Sequence, residues 1–177
     1  MDKEWWNKIW CNELGLSSVP DEKTLLMMRN GFSQFYVIGF FHSLFSAIES
    51  AFWIYLREID PVACNNGTAE YEAIYNSLFK KLKLQQRQDY IELLDLLRHI
   101  RNTIHNNGVY FHKSGLDKTL PYKGKKYNFE KGKAVEYHGG VLNFLLYLMP
   151  DILKMIEDVV YSSDIISRQK IIDPLVD

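Results

Sequence analysis

Four residues in the middle of the chain have the types and spacing for phosphate chemistry: Arg98, Arg101, Asn102 and His105. An α-helix turns by about 100° per residue, so these four fall within one arc of roughly 100°. A guanidinium presents a rigid fork of donors to phosphate and keeps its charge at any working pH. Histidine is the side chain best placed to move a proton near neutrality. Together they suit holding a phosphodiester while the ribose 2′-hydroxyl loses its proton and attacks the adjacent phosphorus. That reaction needs no metal, because the nucleophile belongs to the substrate. A structural role is open to the same residues: His105 and Asn106 as a helix cap, and the arginines as partners of Asp95 and Glu49.

Two further groups bear on the same chemistry. His42, Ser46, Glu49 and Trp53 recur at helical spacing as a narrow polar stripe. Glu49 either orients Arg98 or Arg101, or simply faces water. Between residues 113 and 136 seven lysines stand against three acids, with Tyr122, Tyr127 and Phe129 among them. Basic charge interleaved with aromatic rings is how single-stranded nucleic acid is gripped, and Lys123, Lys125 and Lys126 are the candidate contacts. A solvated hairpin with its aromatics turned inward is the other reading. His99, His105 and His112 provide no ligand set at a metal-binding spacing. With no glycine-rich phosphate loop and no nucleophile elbow, neither a metal nor a cofactor is expected, and a nucleotide-dependent enzyme or a protease is disfavoured.

The elements that must position these residues are mostly helical. Residues 86–107 carry an apolar face of Leu93, Leu96, Leu97, Ile100 and Ile104, and Asn106-Asn107-Gly108 marks the stop. Ile91 and Leu94 share the face of the arginines and His105, which makes that face a candidate dimer surface. Residues 22–59 read as helical, with an interruption expected near Asn30-Gly31, and Pro20-Asp21-Glu22 is a start signal. Residues 68–83 form another helix. A short N-terminal helix over 2–14 presents Trp6, Ile9 and Trp10. Residues 109–137 lose the helical period and read as a small basic β-hairpin or an ordered loop. A last long helix from Gly139-Gly140 to about Tyr161 contains Pro150, where a kink or break is expected. A tail follows over 165–177. The expected fold class is all-α, a bundle of four to five main helices with the hairpin or loop inserted before the last long one.

Composition bounds the rest. A chain of 177 residues fits one domain, taken as 1–177, and can bury a core without disulfides. Cys11 and Cys64 are too few for a disulfide framework. The net charge of −1 means that any polyanion must be held by a local basic patch. Residues 31–48 lack Asp, Glu, Lys and Arg, but the helical pattern continues through Glu49 to Arg57, which suits a core helix better than a membrane span. With no basic segment leading into an apolar run at the N-terminus, a cytoplasmic location is expected.

The stretch Leu97-Arg98-His99-Ile100-Arg101-Asn102-Thr103-Ile104-His105 resembles the signature of the HEPN superfamily: an arginine, often followed by a polar residue, then a histidine after four to six others. Arg98-His99 with His105 satisfies that spacing. Arg101-Asn102 resembles the common opening more closely, but only three residues separate Arg101 from His105. The run Phe45-Ser46-Ala47-Ile48-Glu49-Ser50-Ala51-Phe52 is similar to the acidic helix of abortive-infection-type HEPN proteins. The resemblance implies a HEPN-like helical bundle and a homodimer whose motif helices face each other around a metal-independent ribonuclease site. It also implies a toxin or antiviral role in prokaryotes, with an antitoxin or defence-system partner. Some members of that superfamily have lost catalysis and bind RNA or protein partners instead.

Overall fold

The helix that carries the motif is built from good helix formers and runs from Arg87 to His105 (α3 below). Its end is made by the chain itself. The Gly108 N–H reaches back 2.7 Å to the Thr103 carbonyl, and Gly108 sits at φ +84°, where a side chain would be strained. This closing turn holds His105 at the last helical position. In the computed structural model, the residues described are 4, 8–13, 15, 21–64, 70–106, 108–112, 114–135 and 140–167.

Among these the order is a short π-helical segment Lys8–Glu13, then α1 (Glu22–Ile59), a 3₁₀ turn Pro61–Cys64, α2 (Tyr71–Leu82) and α3. Strands β1 (Lys118–Tyr122) and β2 (Lys125–Phe129) follow, then α4 (Gly140–Val160) and α5 (Ser163–Ile166). The protein is mainly helical with one small antiparallel hairpin. The chain forms two compact units, one up to Val37 and one from Ile38 onward. Trp6 and the end of the tail, residues 168–177, lie outside the described residues, as does the side chain of Trp10.

Asp21 starts α1 as the sequence suggests, its Oδ1 accepting the Thr24 N–H at 2.7 Å. The interruption expected at Asn30-Gly31 does not occur. A single glycine costs about 1 kcal/mol in a helix interior, too little to stop one this long. In the first unit Leu26, Met27, Met28, Phe32, Phe35 and Tyr36 of α1 are exposed. In the second, Phe41, Phe45, Ile48, Phe52 and Leu56 are buried at spacings of three and four, a single stripe along one side of the helix. Among the described residues α1 is the one helix long and apolar enough to cross a membrane by length and composition.

Around α3 the packing closes on several sides. Tyr75 of α2 donates its hydroxyl to Asp95, Tyr90 of α3 donates to Asp158 of α4, and Tyr122 of β1 donates to Asp151 of α4. Each link ties a different pair of elements by a hydrogen bond to a charged group, which is stronger than a neutral one. Leu93, Leu94, Leu96, Leu97 and Ile100 are all fully buried. Leu94 is therefore a core residue and not part of a free dimer face, while Ile91 is half-buried. Reading one face of one helix could not show how many neighbours that helix has.

The lysine-rich excursion is a hairpin rather than a loop. Tyr122 pairs with Lys125 across a two-residue turn, Lys123 at φ 48° and Gly124 at φ 71°. Two positive φ values in succession are the tight turn whose twist matches that of the strands. Tyr122 and Phe129 point into the core. Pro150 lies within α4 on an exposed position and does not end the helix.

Candidate functional site

Two helices of the second unit build the site. On α1, His42 and Glu49 are seven residues apart, close to two full turns, so they share a face. On α3, Arg101 and His105 are one turn apart. The helices meet as two rungs. The imidazoles of His42 and His105 lie edge to face with ring centroids 5.1 Å apart. The Arg101 Nη1 reaches the Glu49 Oε2 at 3.2 Å. Between the rungs the Arg101 guanidinium lies 4.8 Å over the ring of Phe45. The ring fixes the plane of the guanidinium, and the carboxylate fixes its rotation.

Tyr71, the first residue of α2, closes this corner. Its ring meets that of Phe45 edge-on at 5.1 Å, and its buried hydroxyl has no hydrogen-bond partner among the described residues. Burial, and next the nearby Glu49 carboxylate, push its proton affinity far up, so it remains a neutral phenol. The Nε of Arg101 is likewise buried without a partner among the described residues. The corner thus holds two buried donors that no described residue satisfies, one of them on the guanidinium itself.

His105 is exposed at the end of α3. Its proton affinity is lowered, first by partial burial and then by the positive charge of Arg101 and by His42. The ring is thereby biased toward its neutral, basic form. Asn102 is half-buried, and its backbone carbonyl accepts the Asn106 side-chain amide at 2.7 Å. That bond caps the helix end, the structural role that the sequence left open for this segment.

Arg98 is placed differently. Its Nη2 is shared between Glu72 at 2.8 Å and Asp95 at 3.2 Å, and Asp95 also accepts the Tyr75 hydroxyl. Seven residues separate it from His105, about 10 Å along the helix axis. His99 points elsewhere again. It is 2% exposed, its Nδ1 lies 2.8 Å from the Asp95 carbonyl, and its ring packs among Tyr110, His112 and Phe129. Burial lowers its proton affinity, so it stays neutral. The arrangement brings Arg101, His105 and Glu49 together and keeps Arg98 in a separate cluster.

The lysines lie on another side of α3. Lys125, Lys126, Tyr127, Phe144 and Tyr147 line a groove of about 720 Å³ whose floor includes Leu96. Leu96 and His105 are nine positions apart, which puts them roughly 180° apart around the helix. The Nζ of Lys125 lies 5.5 Å from the Tyr147 ring. Lys123 differs from its neighbours, because its Nζ pairs with Asp151 at 2.7 Å.

His42, Phe45 and Tyr71 are the site residues that sequence reasoning did not single out. His42 appeared there only as part of a polar stripe, Phe45 only at the start of the run that ends at Phe52, and Tyr71 only within the helix expected over 68–83. The stripe containing both His42 and Glu49 was the available signal, since a helix that contacts Arg101 through Glu49 and runs opposite to α3 brings His42 toward His105. Comparison with protein-family models, with curated proteins and with solved structures gives no match.

Proposed function

We propose that this protein is a HEPN-type, metal-independent endoribonuclease that acts as a homodimer in the cytoplasm, with a HEPN-like bundle as its scaffold. The observation that carries the reading is the pairing of Arg101 with Glu49 one helical turn before His105. A fixed guanidinium next to a histidine biased toward its neutral form is what cleavage through the 2′-hydroxyl requires. His105 takes the proton from the 2′-oxygen, Arg101 holds the phosphate, and Glu49 and Phe45 keep the guanidinium in place. The 2′-oxygen bonds to phosphorus, the bond to the 5′-oxygen breaks, and a 2′,3′-cyclic phosphate and a 5′-hydroxyl result. The resemblance to abortive-infection proteins extends the proposal to a toxin or defence role, with an antitoxin or defence-system partner.

A second reading has an observation on its side. Both arginines carry an ion pair within the chain, as they would in a non-catalytic HEPN-like module that binds RNA or a protein. The deciding experiment is incubation of the purified protein with mixed-sequence RNA in EDTA, with analysis of the ends. Cyclic phosphate ends that vanish in His105→Ala support the ribonuclease. RNA binding without cleavage supports the module.

A further inference from the structure

We infer that His42 is the second proton-transfer residue of this site, acting as the general acid that protonates the leaving 5′-oxygen while His105 serves as the base. The inference rests on the ribonuclease reading above and adds to it a residue from a different helix.

The geometry carries it. The two imidazoles are in edge-to-face contact at a centroid distance of 5.1 Å, and they come from α1 and α3. The contact is therefore a product of tertiary packing and not of spacing along one helix. His105 is exposed and His42 half-buried, so the rim of the pair is open to a substrate. The oxygen that attacks and the oxygen that leaves are bonded to one phosphorus. The two oxygens take opposite sides of that phosphorus, so the pair can serve both once the phosphate seats at its open rim with one ring toward each oxygen.

Electrostatics sort the two roles. Like-charged groups in contact resist a second proton, so a state holding one proton is favoured over a state holding two. That state is the one a cleavage reaction needs, with one ring ready to accept a proton and one ready to donate. The charged neighbour of His105 is Arg101 on α3, whose ion-pair partner is Glu49 on α1, and Tyr71 on α2 packs against Phe45 beside that guanidinium. Arg101 stands one turn from His105 and disfavours a proton there. His105 is accordingly the base, and the donor's role falls to His42 as the other ring of the contact. The proton accounting closes without a co-reactant: His105 gains the 2′ proton and His42 gives one to the 5′-oxygen. Opening of the cyclic phosphate by water would return both rings to their starting states.

The test has a part that does not depend on cleavage. Titration of the His105 ring resonances by NMR should find its midpoint below the ordinary histidine range. His42→Gln should raise the midpoint of His105, because a neighbouring charge is gone. With an oligoribonucleotide cut by the wild-type protein, His42→Gln should lower the rate about 10²–10⁴-fold, the range for a general acid. Sulfur in place of the bridging 5′-oxygen leaves without needing a proton. That substrate should restore His42→Gln close to wild type and leave His105→Gln impaired, a split that a purely structural role would not produce. A wild-type His105 midpoint in the ordinary range, or one unmoved in His42→Gln, would overturn the pairing, and the first does so even if His42→Gln fails to fold. A His42→Gln rate equal to wild type, or no rescue by sulfur, would overturn the acid role and leave the ribonuclease reading intact. A folded wild-type protein that cleaves no RNA would remove both.

Discussion

Arg101 meets Glu49 at 3.2 Å across two helices, while Arg98, three residues earlier, is held by Glu72 and Asp95. The two arginines of the motif therefore have different tasks. Arg101→Ala should lower cleavage about 10²–10³-fold, the scale for losing a fixed donor to a developing oxyanion, and should lower the melting temperature less than Arg98→Ala does, since it unpairs one carboxylate and not two. Arg98→Ala should do the reverse. It leaves two carboxylates near Tyr75 without their cation and should cost roughly 1–3 kcal/mol of stability. Paired kinetics and thermal melts of both variants check this, and equal rate losses would contradict it.

The pH dependence follows from the same neighbours. A base must be neutral to work, and His105 has its proton affinity lowered by burial, by Arg101 and by His42. Activity should therefore persist below the ordinary histidine range and fall only as pH drops through the lowered value. Arg101→Ala removes one of the lowering charges, so the acid limb of its residual activity should move to higher pH. A pH–rate profile of the two proteins shows the direction.

Leu94 is fully buried. An arginine there would place an unpaired charge in the core, so Leu94→Arg should unfold the protein, with a loss of more than about 4 kcal/mol. The exposed Phe32 and Phe35 on α1 are better targets for the proposed dimer. The double variant Phe32→Glu, Phe35→Glu should sediment as a monomer with a native circular dichroism spectrum. A wild-type monomer at micromolar concentration would remove the dimer from the proposal.

RNA held in the hairpin groove should depend on Lys125 and Lys126 and not on Lys123, whose Nζ already pairs with Asp151. Removing a lysine that neutralises one phosphate should reduce the salt slope of binding by about 0.7 for a single strand. Salt titrations of Lys125→Ala, Lys126→Ala and Lys123→Ala should show that reduction in the first two alone. Because this groove lies across α3 from His105, the same variants should raise the substrate concentration needed without changing the maximal rate.

Gly108 closes α3 from a left-handed conformation, φ +84°. Gly108→Ala should cost about 1 kcal/mol or more and should fray the turn that holds His105. Denaturant melts measure the first effect, and faster hydrogen exchange at residues 103–106 would report the second.

What the sequence determined by itself was local. The period of 3.6 marked the helices, Asp21 marked the start of α1, and Asn106-Asn107-Gly108 marked the end of α3. Each of those signals acts within a few residues, where backbone geometry and nearby hydrogen bonds decide the outcome. The loss of period after Val109 announced a change of structure, and the paired strands settled it as a hairpin. The tertiary structure alone decided the rest. The spacing to His105 favoured Arg98 and could not show which arginine lies beside the histidine pair, because their partners Glu72 and Glu49 come from different helices. Leu94 looked free since its helix face says nothing of the elements packed over it. The contact of His42 with His105 spans sixty-three positions of chain, a distance that only packing can close.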